Sequence, residues 1–324
     1  MNITDFEIFK QNHYHKFVNG GREFLINQEP YLDVVLTDYC NANCSFCIGD
    51  LIHEKKKIDF NILKEKVAFA VKYMGVKDVL LLGGEPTVSP ILIKVIKYLK
   101  TLPLSKIIMT TNGLLLAQNK TFRENVMSAG LTNLNISLMS INPEAQRKIT
   151  KAKRELTLED VEKIYCIASK NNVKIRINNN IFRGNNDTFE DALKFYRAIE
   201  YYCDSVKFSP LLKTDSFSVV PVKTDWVKEH ILSDEEYDNL FSKIERHYSY
   251  LYSIITNEEQ FGFVKNSMIP LTTPIILNWN QHGQMMKKVT EEHKINNIKL
   301  LSINELSLSW NRESSQYFIN TLDK

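Results

Sequence analysis

Three of the five cysteines in this 324-residue chain fall within one short stretch, Cys40-Asn41-Ala42-Asn43-Cys44-Ser45-Phe46-Cys47. The C-x3-C-x2-C spacing concentrates thiols in one loop, and thiolates are the protein ligands of iron–sulfur clusters. A [4Fe–4S] cubane takes four ligands, and this loop offers three. One iron would then stay open to a small molecule, just as an open position separates a catalytic zinc site from a structural one. Two plainer readings stand beside this one. The three thiols with His53 would make a zinc site, although no second Cys or His pair follows at finger spacing. Alternatively they are ordinary buried thiols behaving as small hydrophobes, a reading that such clustering disfavours.

A second stretch, Gly83-Gly84-Glu85-Pro86-Thr87, closes an apolar run. Paired glycines let backbone come close to a ligand. The Glu85 carboxylate beside backbone donors suits a ligand carrying both an ammonium and a carboxylate, and a plain tight turn would use the same glycines. Thr110-Thr111-Asn112-Gly113, and Ser137 within Leu134–Leu138, are turn formers by residue type. Farther on, Arg176, Asn178 and Asn180 alternate along a strand-like stretch and so share one face. Polar side chains on such a face are costly to bury without partners, which points to a ligand or its waters.

These residues recur at equivalent places in a repeating pattern. Leu32–Leu36 (LDVVL) reads as a strand that feeds the cysteine loop. Asp59 caps a helix whose apolar face is Phe60, Leu63, Val67, Val71 and Met74, ended by Gly75. Asp78–Leu82 is the next strand, and Ser89-Pro90 opens a helix to about Lys100. The alternation continues through Lys106–Thr110, a helix at 121–129, Leu134–Leu138 and a helix opened by a Thr157–Asp160 capping box. Val173–Phe182, Thr188–Glu200 and Ser205–Leu212 complete it. Such strands, rich in Val, Ile and Leu and alternating with helices, predict an α/β fold, a partial (βα)6 parallel barrel. Chemistry in such a barrel sits at the C-terminal strand ends, where the cysteine loop falls.

The expected division is a solvated lead-in over 1–30, holding His13, His15 and a Gly20-Gly21 turn, then a core over 31–212. A smaller α+β region over 213–324 would cap the open end. In it, Lys213–Trp226 reads as a loop, and Ser233 caps a long helix carrying Tyr237 through Leu251. Pro274–Asn280 reads as a strand, Gln284–His293 as a helix, and Asn297–Trp310 as a hairpin turning near Asn304. Composition, 44% hydrophobic and 24% charged, is that of an ordinary folded protein. A net charge of +3 does not announce a nucleic-acid binder. No apolar run approaches the ~20 residues of a spanning helix, and no signal-peptide order opens the chain. The expectation is a cytoplasmic protein with no membrane partner.

TDYCNANCSFC, GGEPT, MTTNGLLL and INNNIFRGNND together resemble the radical S-adenosylmethionine (SAM) enzymes, over residues 31 to about 212. Within that family they are similar to the GTP 3′,8-cyclases and the relatives with auxiliary-cluster (SPASM or twitch) domains. The resemblance implies a [4Fe–4S] cluster on Cys40, Cys44 and Cys47, with SAM on the open iron. It implies that Gly83, Gly84, Glu85 and Pro86 hold the methionyl end, and that Phe46 shields the cluster near the adenine. Thr111, Asn112, Ser137 and Asn180 would lie near SAM, with Leu212 and Phe208 on the adenine wall. Arg147 is either a partner of the SAM carboxylate or a solvated helix charge. Asp33, Arg176 and Asn178 are assigned to the substrate.

The chain also departs from that pattern. Met139 replaces an acidic residue after Ser137-Leu138, and Asp33 and Leu80 stand where the cyclases carry substrate-binding arginines. A triphosphate would lose charge-assisted partners at both places. No cysteine follows Cys203, so a second cluster is not expected. The activity implied is reductive cleavage of SAM to a 5′-deoxyadenosyl radical that takes hydrogen from a substrate, with a flavodoxin or ferredoxin as electron donor. Peptide or natural-product tailoring is the expected setting, and a nucleotide or small metabolite is the alternative substrate. A zinc-binding, non-catalytic scaffold is the reading from another class. Asn278-Trp279-Asn280-Gln281-His282 is a further substrate-facing stretch, and Cys166 and Cys203 are either hydrogen-atom donors or structural thiols.

Overall fold

The computed structural model describes residues 14–47, 55–211, 221–247, 251–255, 260–264, 273, 275–278, 294–308 and 318–321. The chain opens with β1 (Tyr14–Asn19), β2 (Arg22–Val35), α1 (Phe60–Tyr73), β3 (Asp78–Leu82) and α2 (Leu92–Leu99). It continues with β4 (Lys106–Thr111), α3 (Leu114–Gln118), α4 (Lys120–Ser128), β5 (Asn133–Ser137), α5 (Pro143–Thr150) and α6 (Leu158–Lys170). Then come β6 (Lys174–Ile181), α7 (Phe189–Ile199), β7 (Ser205–Pro210), α8 (Pro221–His230) and α9 (Asp234–His247). The last elements are β8 (Leu251–Ile255), β9 (Gln260–Val264), β10 (Ile275–Asn278), β11 (Lys294–Leu300) and β12 (Leu306–Ser307).

Strands β2 to β7 lie side by side in chain order, and each neighbouring pair is parallel. Parallel neighbours need long crossovers, and α1 to α7 supply them. One face of this wall packs on the helices. Val34, Leu81, Met109, Ile136, Ile177 and Val206 are buried in one core with Leu63, Val67, Ile96, Val126, Ile164 and Phe195. Side chains alternate along a strand, so Asp33, Thr110, Asn135, Arg176 and Lys207 stand on the opposite face, the lumen of the partial barrel. The α/β parallel fold expected from the strand–helix rhythm is the one observed.

The sheet extends beyond those strands at both edges. β11 pairs in parallel with β2 and carries β12 antiparallel, while β10 joins β7 in parallel and is followed by β8 and β9. β1 forms a hairpin with the first part of β2 around Gly20-Gly21, both at positive φ. These partners explain why β2 starts at Arg22 and not at Leu32: β1 pairs with Arg22–Asn27, and β11 runs along β2 from Leu25 to Val34. The hairpin expected near Asn304 is present, with Asn304 in the left-handed region and its side chain accepting from Asp59 N at 2.8 Å.

Caps account for most helix starts. Asp59 accepts from Asn61 N and Ile62 N at the head of α1, and Thr157 and Asp160 form a reciprocal capping box on α6. Thr157→Ala removes half of that box and is expected to lower the unfolding free energy by about 1 kcal/mol, read by urea denaturation. Three expectations need correction. Pro86, and not Pro90, occupies a first-turn position, in a 3-10 turn over Pro86–Val88 capped by Glu85, so α2 starts only at Leu92. The stretch read as a loop up to Trp226 becomes α8 from Pro221, a residue whose fixed φ suits a first helical turn. α9 ends at His247, and Leu251 opens β8 instead of closing the helix. His13, His53, Leu212, Trp279–His282 and Gln284–His293 lie outside the described residues. Among the described residues no helix is long and apolar enough to cross a membrane.

Candidate active site at the C-terminal rim of the barrel

Six parallel strands in register bring their C-terminal ends to one rim, and the loops that follow them meet there. The cysteine loop, after β2, is held from several sides. Gly84 N donates to Thr37 O at 2.7 Å and Glu85 N to Tyr39 O at 2.8 Å, which fixes the segment entering the loop against the end of β3. Asn43 N and Ser45 N donate to Thr150 O and Ile149 O of α5 at 2.9 and 3.0 Å. Asn112, after β4, donates from Nδ2 to Asn41 Oδ1 at 2.7 Å and lies 4.0 Å from Cys40 Sγ.

The glycine pair has a steric reason that the sequence reading placed elsewhere. A Cβ on Gly83 would stand 2.3 Å from Thr37 O, and one on Gly84 would stand 2.3 Å from Tyr39 O. The close backbone approach that these glycines permit is to the entry of the cysteine loop itself. Glu85 is the hub of the rim. It is 1% exposed, and Oε1 accepts from Thr87 N (3.0 Å), Thr87 Oγ1 (2.6 Å) and Thr111 Oγ1 (2.6 Å). Oε2 accepts from Asn112 N at 2.7 Å. Burial pushes its carboxyl upward and these four hydrogen bonds pull it back. The carboxylate therefore ties the loop after β3 to the loop after β4, and through Asn112 to the cysteines.

Cys40 is exposed and Cys44 and Cys47 are half-buried, so the thiols stand at the surface of the rim. Cys47 N donates to Cys44 O at 3.1 Å, and Ala42 N approaches Cys40 Sγ at 3.4 Å, a donor aimed at sulfur as a bound thiolate prefers. Among the described residues no three metal-binding side chains converge on one point. In an iron–sulfur cluster each thiolate takes a different iron, so the three thiols need not meet at one point. The loop offers three thiols as donors, which fits iron–sulfur chemistry. Phe46, inside the loop, packs on Phe182 and Trp226 (centroids 6.2 and 6.5 Å), and Trp226 stacks on His230 at 4.0 Å. This apolar wall shields one side of the loop from water.

Below the rim the lumen is polar. On β6, Arg176, Asn178 and Asn180 are half-buried on the lumenal face as predicted, and Arg176 Nε donates to Asn178 Oδ1 at 3.0 Å. Asn179, fully buried on the other face, donates to Leu138 O and Met139 O and so pins the turn after β5. On β5, buried Asn135 donates to Thr110 Oγ1 at 3.1 Å. Asp33 is 4% exposed; Asn297 Nδ2 donates to its Oδ2 at 3.3 Å. Burial raises the Asp33 carboxyl, countered in part by Lys299 and Asn297.

Lys207 was missed by the sequence reading and is the lumenal neighbour of Asn178 across β6 and β7. Burial, with Arg176 close by, lowers its amine from the ordinary 10.5 to about 7. Below pH 7 the folded and unfolded chains both hold this proton. Between about 7 and 10.5 the unfolded chain keeps it and the folded chain does not, so stability should rise with pH across that window. Lys207→Met should flatten the rise in unfolding free energy measured from pH 7 to about 10.

Several predicted positions fall elsewhere. Phe208 lies on the helix side of the sheet, edge-to-face with Phe195, because the alternation that turns Lys207 into the lumen turns Phe208 out of it. Arg147 is exposed on α5, in keeping with a solvated charge. Met139 is buried with its sulfur accepting from Asn180 N at 3.4 Å, so the position takes part in packing. Cys203 is buried, its thiol pushed up by burial, and precedes β7 at the end away from the rim. Cys166 is exposed on α6, which leaves both thiols remote from the cysteine loop. Ser137 closes β5 in register with Asn178 at the rim.

The radical SAM superfamily model matches residues 34–199, about half of the chain. The probable GTP 3′,8-cyclase of Methanococcus aeolicus is 30% identical over 185 residues, covering 56% of this chain and 60% of its own length. The GTP 3′,8-cyclase of Aquifex aeolicus is 28% identical over 220 residues, covering 65% and 64%. The chain thus spans less than two thirds of the curated relatives it matches. Among solved structures, Streptococcus suis SuiB bound to S-adenosylmethionine superposes with a TM-score of 0.64 at 13% identity, covering 92% of this chain and 65% of its own; that likeness is one of fold. A three-thiol loop on the rim of a parallel half-barrel, sewn to a buried glutamate after two glycines, joins these matches in one conclusion: the chain belongs to the radical SAM superfamily and is a radical SAM enzyme, of a family whose members use a [4Fe–4S] cluster and SAM.

Proposed function

We propose that this enzyme acts on a nucleotide or another small metabolite held in the lumen below the rim. The observation that carries the reading is the polar lumenal face of β6 and β7, where Arg176, Asn178, Asn180 and Lys207 stand together on a wall that most parallel barrels fill with apolar side chains. The curated relatives, which are GTP 3′,8-cyclases, support a substrate of that kind. Asp33 and Leu80 lie side by side in register on the lumenal wall. A carboxyl and an apolar side chain there offer a triphosphate no charge-assisted partner, which favours a substrate other than GTP. The tailoring expectation ranks behind this reading. The solved relative bound to a precursor peptide, SuiB with SuiA, is 13% identical and speaks for the fold alone.

When bound, the cluster and SAM supply one-electron reductive cleavage, generating a 5′-deoxyadenosyl radical that takes hydrogen from substrate. The chain's own residues bind, orient and exclude water. Cys40, Cys44 and Cys47 are the cluster ligands. Glu85 and Thr111 are positioning residues, since their polar atoms bond to each other and to the loops. The outer backbone of Gly83 to Pro86, with Asn112, Ser137 and Asn180, would hold the methionyl and ribosyl parts of SAM. Phe46, backed by Phe182 and Trp226, keeps water from the loop. Asp33, Arg176 and Asn178 face the substrate, and a flavodoxin- or ferredoxin-type protein delivers the electron.

The test is substrate consumption by the anaerobically reconstituted enzyme with dithionite and SAM, read by mass spectrometry across nucleotides, phosphorylated and carboxylated metabolites, and peptides. A nucleotide or small metabolite should be consumed together with faster 5′-deoxyadenosine release. A peptide consumed in its place sinks the reading, and GTP turnover sinks the argument from Asp33 and Leu80.

A further inference from the structure

Two charged features face the lumen from opposite edges of the β2–β7 wall. On β6 and β7, Lys207 pairs in register with Asn178, and Arg176 stands one pleat below on the same face. Among the described residues the charge that acts on Lys207 is Arg176, of the same sign. Two cations in a half-buried wall repel each other, and an anion seated between them reverses the sign of the interaction. Arg offers a planar fork and Lys a point charge, the pair of donors that phosphate and carboxylate groups favour. Asn178, already bonded to Arg176 Nε, holds the guanidinium on that face.

At the other edge, Asp33 on β2 has its Oδ2 bonded to Asn297, whereas its buried Oδ1 has no partner among the described residues. A buried carboxyl oxygen without a donor is unfavourable, and an N–H or O–H of a ligand would satisfy it. Lys299, beside Asp33 in register, donates to Asn297 O at 2.5 Å and acts on Asp33 as a neighbouring charge, without a hydrogen bond to Oδ1. The wall is therefore cationic on β6–β7 and accepting on β2.

We propose that the lumen binds a dipolar small molecule, with a phosphate or carboxylate between Arg176 and Lys207 and an amine or hydroxyl on Asp33 Oδ1. The inference rests on the small-metabolite reading above and narrows it to one class. The difference between the two edges also fixes orientation, since a reversed molecule would leave Asp33 Oδ1 without a donor and set its own donor against two cations.

Competitive acetylation of the reconstituted enzyme with acetic anhydride, read by mass spectrometry at Lys207, tests this. Ethyl phosphate or propionate should slow labelling of that amine about twofold near pH 8, the effect of raising a pKa of about 7 by one unit. Arg176→Gln should weaken the protection. Aminoalkyl phosphates of graded chain length should protect at lower concentrations than alkyl phosphates of the same length, and Asp33→Asn should erase that difference.

Labelling indifferent to every anion overturns the proposal, as do equal midpoints for all matched pairs of probes. Protection by SAM but not by methylthioadenosine, which lacks the carboxylate, also overturns it by assigning the patch to the cofactor's own anion. The small-metabolite reading fails by a different measurement, consumption of a peptide in the substrate screen.

Discussion

Cys44→Ala is expected to yield a folded protein that assembles no [4Fe–4S] cluster and releases no 5′-deoxyadenosine from SAM. The thiol is half-buried, and the main-chain bonds that anchor the loop on either side do not run through its side chain. Asn43 N and Ser45 N, on either side of it, are anchored to α5, and Cys47 N bonds to the Cys44 carbonyl, which alanine keeps. The loss therefore falls on metal chemistry, since only three thiolates are present in the loop and each is needed for an iron. Reconstitution with iron and sulfide should load about four irons per chain in the parent protein and background iron in the variant. Urea midpoints should agree within about 0.5 kcal/mol, the usual range for a change at a site without packing or capping duties. Zinc in place of iron in the parent protein, with no SAM cleavage, would overturn the assignment of these cysteines.

Gly84→Ala adds one carbon and is expected to disturb the same site through the backbone. The new Cβ would stand 2.3 Å from Tyr39 O and 2.6 Å from Asp38 O, both main-chain atoms that cannot swing aside. Relief requires the entry of the cysteine loop to move off the end of β3. That movement breaks or lengthens the bonds from Gly84 N to Thr37 O and from Glu85 N to Tyr39 O, now 2.7 and 2.8 Å. Overpacking with lost hydrogen bonds should destabilise by about 2–4 kcal/mol, and iron loading should fall with it. Gly20→Ala is the comparison. Nothing lies within 4 Å of its added Cβ, but φ is +59°, so it reports backbone strain alone, about 1–2 kcal/mol. Full iron loading and unchanged stability in Gly84→Ala would show that the close approach at the rim is not needed.

Much of the barrel could be read locally because its signals are local. Asp59, Thr157 and Ser233 mark helix starts through bonds to amides two or three residues away, and all three cap as expected. Apolar runs such as Asp78–Leu82 need only the company of other strands to become strands. The misread stretches are those where two local preferences compete. Pro86 and Pro90 both suit a first turn, and the tie between Glu85 and Thr87 decides for Pro86. Leu251 continues the apolar spacing of α9, yet pairing with β9 and β10 draws it into a strand.

The sequence by itself determined the chemistry: three thiols at cluster spacing, glycines and a glutamate after the next strand, and a parallel α/β frame to set them on one rim. Spacing within a loop and alternation within a strand are properties of neighbouring residues, so they survive without a fold. Only the tertiary structure decided what those residues touch. Glu85 meets Thr111 and Asn112 across two strands, Asn297 reaches Asp33 from the far end of the chain, and Lys207 comes beside Arg176 through the register of β6 and β7. These pairings are set by crossover topology and strand register. A shift of one residue in register would have turned Phe208 into the lumen and Lys207 toward the helices.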